Sequence, residues 1–260
     1  MAGEEQRTIG ALHGRALQLT SAGELDAAGL AYEEVLSRLE VDPGPNRLLR
    51  IAVFRDMGSL SLRLAMRTAA EQPGSRSLVD AFLDDADRSI ASSKALSMNA
   101  NSADDIRPSN IQNERAATQM WEGRSDVVRW YLTHQFGRWV RATDSIDEPT
   151  YRDVQRKFAN SLSTLRFLGL RANPYYRASL GMNAARWSML YGDEKEARQW
   201  RRYAIRSVGL AAVKLDGRNL AHSLATIKRR WGSATDRSVA FGSLNPFDAQ
   251  TGRYRPDVAV

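Results

Sequence analysis

The segment Arg198-Gln199-Trp200-Arg201-Arg202-Tyr203-Ala204-Ile205-Arg206 concentrates the residue types suited to holding an anion. Arg198, Arg202 and Arg206 recur every four residues, so a helix places them along one face. Guanidinium groups on such a ridge reach successive carboxylates of an acidic protein or successive phosphates of a nucleic acid. Trp200 and Tyr203, interleaved among them, are side chains of the kind that stack on bases. Lys228-Arg229-Arg230-Trp231 adds a second basic cluster about one helix further on. Arg198, Arg201, Arg202, Arg206, Lys228, Arg229 and Arg230 are therefore the candidate partner-binding residues. A second reading is open at the same positions: Trp200 belongs to a core, and the arginines are its solvated flank, some paired with Glu194 and Glu196.

Other chemistries find less support. Leu83-Asp84-Asp85-Ala86-Asp87 clusters carboxylates of a type that binds magnesium. No second metal-binding segment accompanies them, and a solvated acidic helix face is the better account. His13, His134 and His222 stand apart, without the close pairing that helical metal ligands show. Cysteine is absent, which excludes disulfides, thiolate metal sites and a cysteine nucleophile. The glycine-rich phosphate loops and the serine nucleophile elbow are missing too. No catalytic residue, cofactor or metal is expected, although a helical enzyme with an unrecognised active site is a remaining alternative.

The formal charge of +7 is unevenly spread. Residues 1–130 hold 15 basic and 19 acidic side chains, and residues 131–260 hold 22 and 11. A basic half attracts an acidic partner, or the acidic half of a second copy. Against this, only five of the 37 basic residues are lysine, a bias that arginine-favouring coding produces without any functional cause. The N-terminus Met-Ala-Gly-Glu-Glu lacks the basic and apolar stretches of a secretory signal, and no window is apolar enough to span a bilayer. A cytoplasmic location without membrane contact is expected.

These residues need elements to hold them. Turn signals at Ala22-Gly23, Asp42-Pro43-Gly44-Pro45, Pro73-Gly74-Ser75, Asn99-Ala100-Asn101-Ser102, Gly123, Pro149, Asn173-Pro174, Gly192-Asp193 and Asp216-Gly217 divide the chain. The spacing between them predicts about ten helices: 5–21, 25–40, 46–71, 76–98, 109–122, 125–142, 149–170, 174–191, 194–214 and 217–231. The third carries two apolar stripes, Ile51/Phe54/Leu62/Ala65 and Val53/Met57/Leu60/Leu64, so it is packed on two sides. Small residues on the stripe Ala197/Trp200/Ala204/Val208/Ala211 allow a close helix crossing. Residues 1–231 read as one helical domain and 232–260 as an extended tail whose Phe241 and Phe247 suit docking.

Ala16, Gly23, Ala28 and Tyr32 are separated by seven, five and four residues, and Ala185, Gly192, Ala197 and Arg201 repeat that spacing. Ala116, Gly123, Val128 and Leu132 give a weaker echo. Small residues suit the helix crossing, glycine the turn, and the aromatic the groove toward the next hairpin. The pattern resembles the tetratricopeptide repeat, with departures: Arg201 replaces the aromatic, and the turn signals at 23, 74 and 123 lie 51 and 49 residues apart rather than the usual 34 or so. The resemblance implies an all-α fold of stacked antiparallel hairpins. It also implies a non-catalytic scaffold or adaptor role, in which a charged groove takes an acidic protein or peptide. RNA binding by the basic half is the alternative from another class.

Overall fold

The computed structural model describes residues 2–41, 47–72, 74–99, 107–135 and 146–214. Among them lie eight α-helices and no strand: α1 (Ala2–Ala22), α2 (Leu25–Val41), α3 (Arg47–Glu71), α4 (Arg76–Met98), α5 (Pro108–Gln135), α6 (Glu148–Leu168), α7 (Pro174–Tyr191) and α8 (Glu194–Lys214), with one 3₁₀ turn at Gly169–Arg171. The expected helix at 217–231 and the tail at 232–260 lie outside the described residues.

Turn chemistry sets the boundaries. Gly23 takes φ 85°, and the amide of Glu24 donates back to Leu19 O at 3.0 Å, closing α1. Gly192 takes φ 100° while the amide of Asp193 donates to Ser188 O at 2.9 Å, closing α7 in the same way. Asp193 then caps α8 by accepting from the Glu196 amide at 2.9 Å. Asp147 opens α6: its carboxylate accepts from the Thr150 amide at 2.8 Å and from Thr150 Oγ1 at 2.7 Å, with Pro149 in the first turn.

One expected boundary is absent. The helices expected at 109–122 and 125–142 are, over the described residues, a single helix, α5, running through Gly123; residues 136–142 lie outside the described residues. Gly123 has no positive φ. A Cβ at that position would lie 2.7 Å from Phe158 Cε1, so the glycine is a notch in α5 that admits the Phe158 ring of α6.

Contacts follow chain order. α1 with α2, α3 with α4, α5 with α6 and α7 with α8 pack as antiparallel hairpins. Between hairpins, α1 touches α3, α3 touches α5 and α5 touches α7, while α2, α4 and α6 each touch the odd-numbered helix that follows. The even-numbered helices make no comparable contacts with one another among the described residues. One layer is thus a continuous row of odd helices.

The two stripes of α3 serve two cores. Val53 and Leu60 join Ile9, Ala16, Ala28 and Tyr32 from α1 and α2; Leu62 and Ala65 join the larger core formed with α4 to α8. Ala197, Trp200 and Ala204 are buried, and the α7–α8 crossing is tight: a Cβ on Gly181 would lie 2.9 Å from Ala204 Cβ, Ala204 N and Trp200 O.

Candidate functional site

The odd-helix layer carries two rows of polar side chains, the first buried or half-buried and the second buried. In the first, α1 gives His13, α3 gives Arg55 and Asp56, α5 gives Glu114 and α7 gives Tyr176. His13 Nε2 and Asp56 Oδ2 are 3.0 Å apart, and Arg55 Nε donates to Asp56 Oδ1 at 3.0 Å. Arg55 Nη1 also donates to Glu114 Oε2, and to Tyr176 Oη at 2.9 Å. Tyr176 Oη in turn donates to Glu114 Oε1 at 2.8 Å, and the Arg55 guanidinium lies 5.3 Å from the Tyr176 ring centroid. Burial acts to raise the Asp56 carboxyl, but the charge of Arg55 and hydrogen bonds from His13 and Arg55 overcome it and hold the pKa below the usual value. One guanidinium facing two carboxylates leaves no unmet positive charge in this row. Its partners are spread over four helices, so it fixes their register.

The second row lies seven to ten residues further along the same helices, roughly 10–15 Å at the α-helical rise. It consists of Thr20 on α1, Arg63 on α3, Arg124 on α5 and Arg186 on α7, and all four are buried. Arg63 Nη1 donates to Thr20 O at 3.3 Å. Arg124 is 3% exposed, and its Nη1 is sealed from solvent with no hydrogen-bond partner. No carboxylate pairs with Arg124 among the described residues. Burial, and secondarily the positive charge of Arg63, push its pKa down to about 10. That value still leaves it charged at neutral pH, at a desolvation cost on the order of several kcal/mol.

A third polar cluster lies at the α6–α7–α8 end. Tyr151 Oη donates to Glu196 Oε2 at 2.7 Å, Gln155 Nε2 donates to Ser188 Oγ at 2.6 Å, and the rings of Tyr151 and Tyr191 stack at 3.9 Å. Trp187 Nε1 donates to Tyr151 O at 3.2 Å inside the core.

The expected partner-binding arginines sit on α8, an outer helix of the last hairpin. Arg198, Arg202 and Arg206 are exposed along one face, as their spacing requires, and Arg201 is half-buried. Arg198 pairs with Glu194 at 3.1 Å. Trp200 is 9% exposed, meets Tyr203 edge-on at 6.1 Å and directs its Nε1 to Glu196. The core reading of Trp200 therefore holds, and this tryptophan is not available to stack on a base. Lys228, Arg229 and Arg230 lie outside the described residues. The acidic run of α4 is matched by arginine: Asp84 and Asp87 both accept from Arg129, and Asp85 pairs with Arg88. No group of three or more potential metal ligands converges among the described residues, and none of their helices is long and apolar enough to cross a membrane.

Sequence reasoning missed both rows of the odd layer. A signal was present in α3, where Arg55, Asp56 and Arg63 interrupt a helix that is apolar on two faces. Charged residues in a helix packed on two sides must find partners inside the stack.

No family model matches the chain, and neither a curated protein nor a solved structure matches it.

Proposed function

We propose that the chain is a non-catalytic interaction protein whose stacked hairpins hold an acidic protein or peptide partner, on the tetratricopeptide-like plan. The observation that supports this reading most is the guanidinium of Arg124, buried with no carboxylate partner among the described residues, in a layer whose neighbouring row pairs its one guanidinium with two carboxylates. The exposed arginine face of α8 supplies a second basic surface on the same molecule. Nucleic-acid binding draws less support, because Trp200 is committed to the core and Arg198 to Glu194.

The test is affinity capture from the native cell with and without nuclease. It compares the wild-type chain with Arg124→Met and with the triple variant Arg198→Glu, Arg202→Glu, Arg206→Glu. The expected result is a nuclease-resistant acidic protein that at least one of the two variants fails to retain. Capture unchanged in both variants, or capture abolished by nuclease, would reject the reading.

A further inference from the structure

The even-numbered helices are graded in charge along the stack. α2 carries four carboxylates against one cation, α4 four against three, α6 two against four, and α8 two against six. Their net charges therefore run −3, −1, +2 and +4 in chain order. The odd-numbered helices show no such trend: with histidine neutral, α1 and α5 balance, α3 is +3 and α7 is +2. Every charged side chain described on α2, α4, α6 and α8 is exposed or half-buried. Pairs made with the odd helices leave the order of the gradient unchanged: Asp26 with Arg67, Lys94 with Glu122, Lys157 with Asp126, and Asp84 and Asp87 with Arg129. An apolar side chain sits in the acidic end of this layer. Leu30 of α2 is 70% exposed, at helical spacing from Asp26, Glu33 and Glu34.

A row of charges graded from negative to positive is complementary to its own copy turned end for end. A two-fold axis across the even layer sets α2 of each copy against α8 of the other and α4 against α6, so every attraction occurs twice. We propose that the even layer is the contact surface for a second copy of this chain, paired in that way. A uniformly acidic partner is drawn to α8 but repelled by α2, whereas a second copy satisfies both ends at once. The aliphatic stems of Arg198 and Arg202 offer Leu30 an apolar cover. Single exposed ion pairs contribute little, so the dimer is reversible and salt-sensitive. This goes beyond the capture of an acidic partner. It shares the α8 arginines with that reading, so the two occupants exclude one another there.

The test measures the mass of the purified full chain by sedimentation equilibrium over a range of concentrations. A monomer–dimer equilibrium is expected, its Kd rising at least about tenfold between about 0.05 and 0.5 M sodium chloride. Two triple variants reverse the ends separately: Arg198→Glu, Arg202→Glu, Arg206→Glu on α8, and Glu33→Lys, Glu34→Lys, Glu40→Lys on α2. All six residues are exposed, so both variants are expected to fold. Each alone should be monomeric where wild type is dimeric. Mixed together they should form a heterodimer, because both of its α2–α8 contacts again join opposite charges. Should one variant fail to fold, the other must still be monomeric. A monomer at every salt concentration would overturn the proposal, and so would a dimer that survives either reversal or resists salt. Masses that grow past the dimer would overturn the two-fold pairing, since they mark an open head-to-tail chain. No other protein is present in these measurements, so failure here is separable from failure to capture an acidic partner.

Discussion

Placing alanine at two glycines, Gly14 and Gly181, separates helix propensity from helix packing. Both lie inside helices, so alanine brings each about 1 kcal/mol of propensity. At Gly14 an added Cβ meets nothing within 4 Å, and the gain should be kept. At Gly181 the same carbon falls 2.9 Å from Ala204 Cβ, Ala204 N and Trp200 O. Two of those three atoms are backbone, and no rotamer change moves them. Relief requires α7 and α8 to separate, an overpacking cost of about 1–3 kcal/mol. Gly14→Ala should therefore raise stability and Gly181→Ala lower it or leave it flat. The two should differ by about 2 kcal/mol, or roughly 4–8 °C in Tm for a chain of this size. Urea unfolding with both variants in parallel reads the difference directly. Equal stabilisation at the two positions would refute the close α7–α8 crossing and the hairpin packing built on it.

Three further outcomes are expected. Arg55→Met should destabilise by about 3–5 kcal/mol, since it leaves the buried Asp56 and half-buried Glu114 without their cation, and a double-mutant cycle with Glu114→Gln should show strong coupling. The Asp56 carboxyl is held low when folded, so its contribution is present above the unfolded value of about 3.9 and lost as pH falls through the lower folded value. Acid unfolding should steepen below about pH 4, and Asp56→Asn should flatten that limb in a pH series of urea melts. Charge reversal at Arg202 and Arg206, both exposed, should shift stability within about ±0.5 kcal/mol in the same melts, so that any loss of partner there is not a loss of fold.

Much of the helical order was legible before any coordinates, because glycine, proline and aspartate at the turns act locally. Gly23, Gly192 and Asp193 bring about the chain reversals that their neighbours in sequence require. Gly123 shows the limit of that logic. A glycine that breaks a helix and a glycine that makes room for a ring look alike in sequence, and only Phe158, 35 residues on, distinguishes them. The candidate site was less visible still. Arg55 meets partners 59 and 121 residues away, so nothing near it in the chain announces the network. The regular arginines of α8 drew notice because their spacing is local, whereas Arg124 has no local companion and gains its significance from burial between helices.

Affinity capture from the native cell, with nuclease treatment in parallel, tests most directly whether the stacked hairpins hold an acidic protein partner. The expected result is a nuclease-resistant acidic protein that is lost when Arg198, Arg202 and Arg206 are reversed to glutamate or when Arg124 becomes methionine. Capture abolished by nuclease, or unchanged in both variants, would contradict the account.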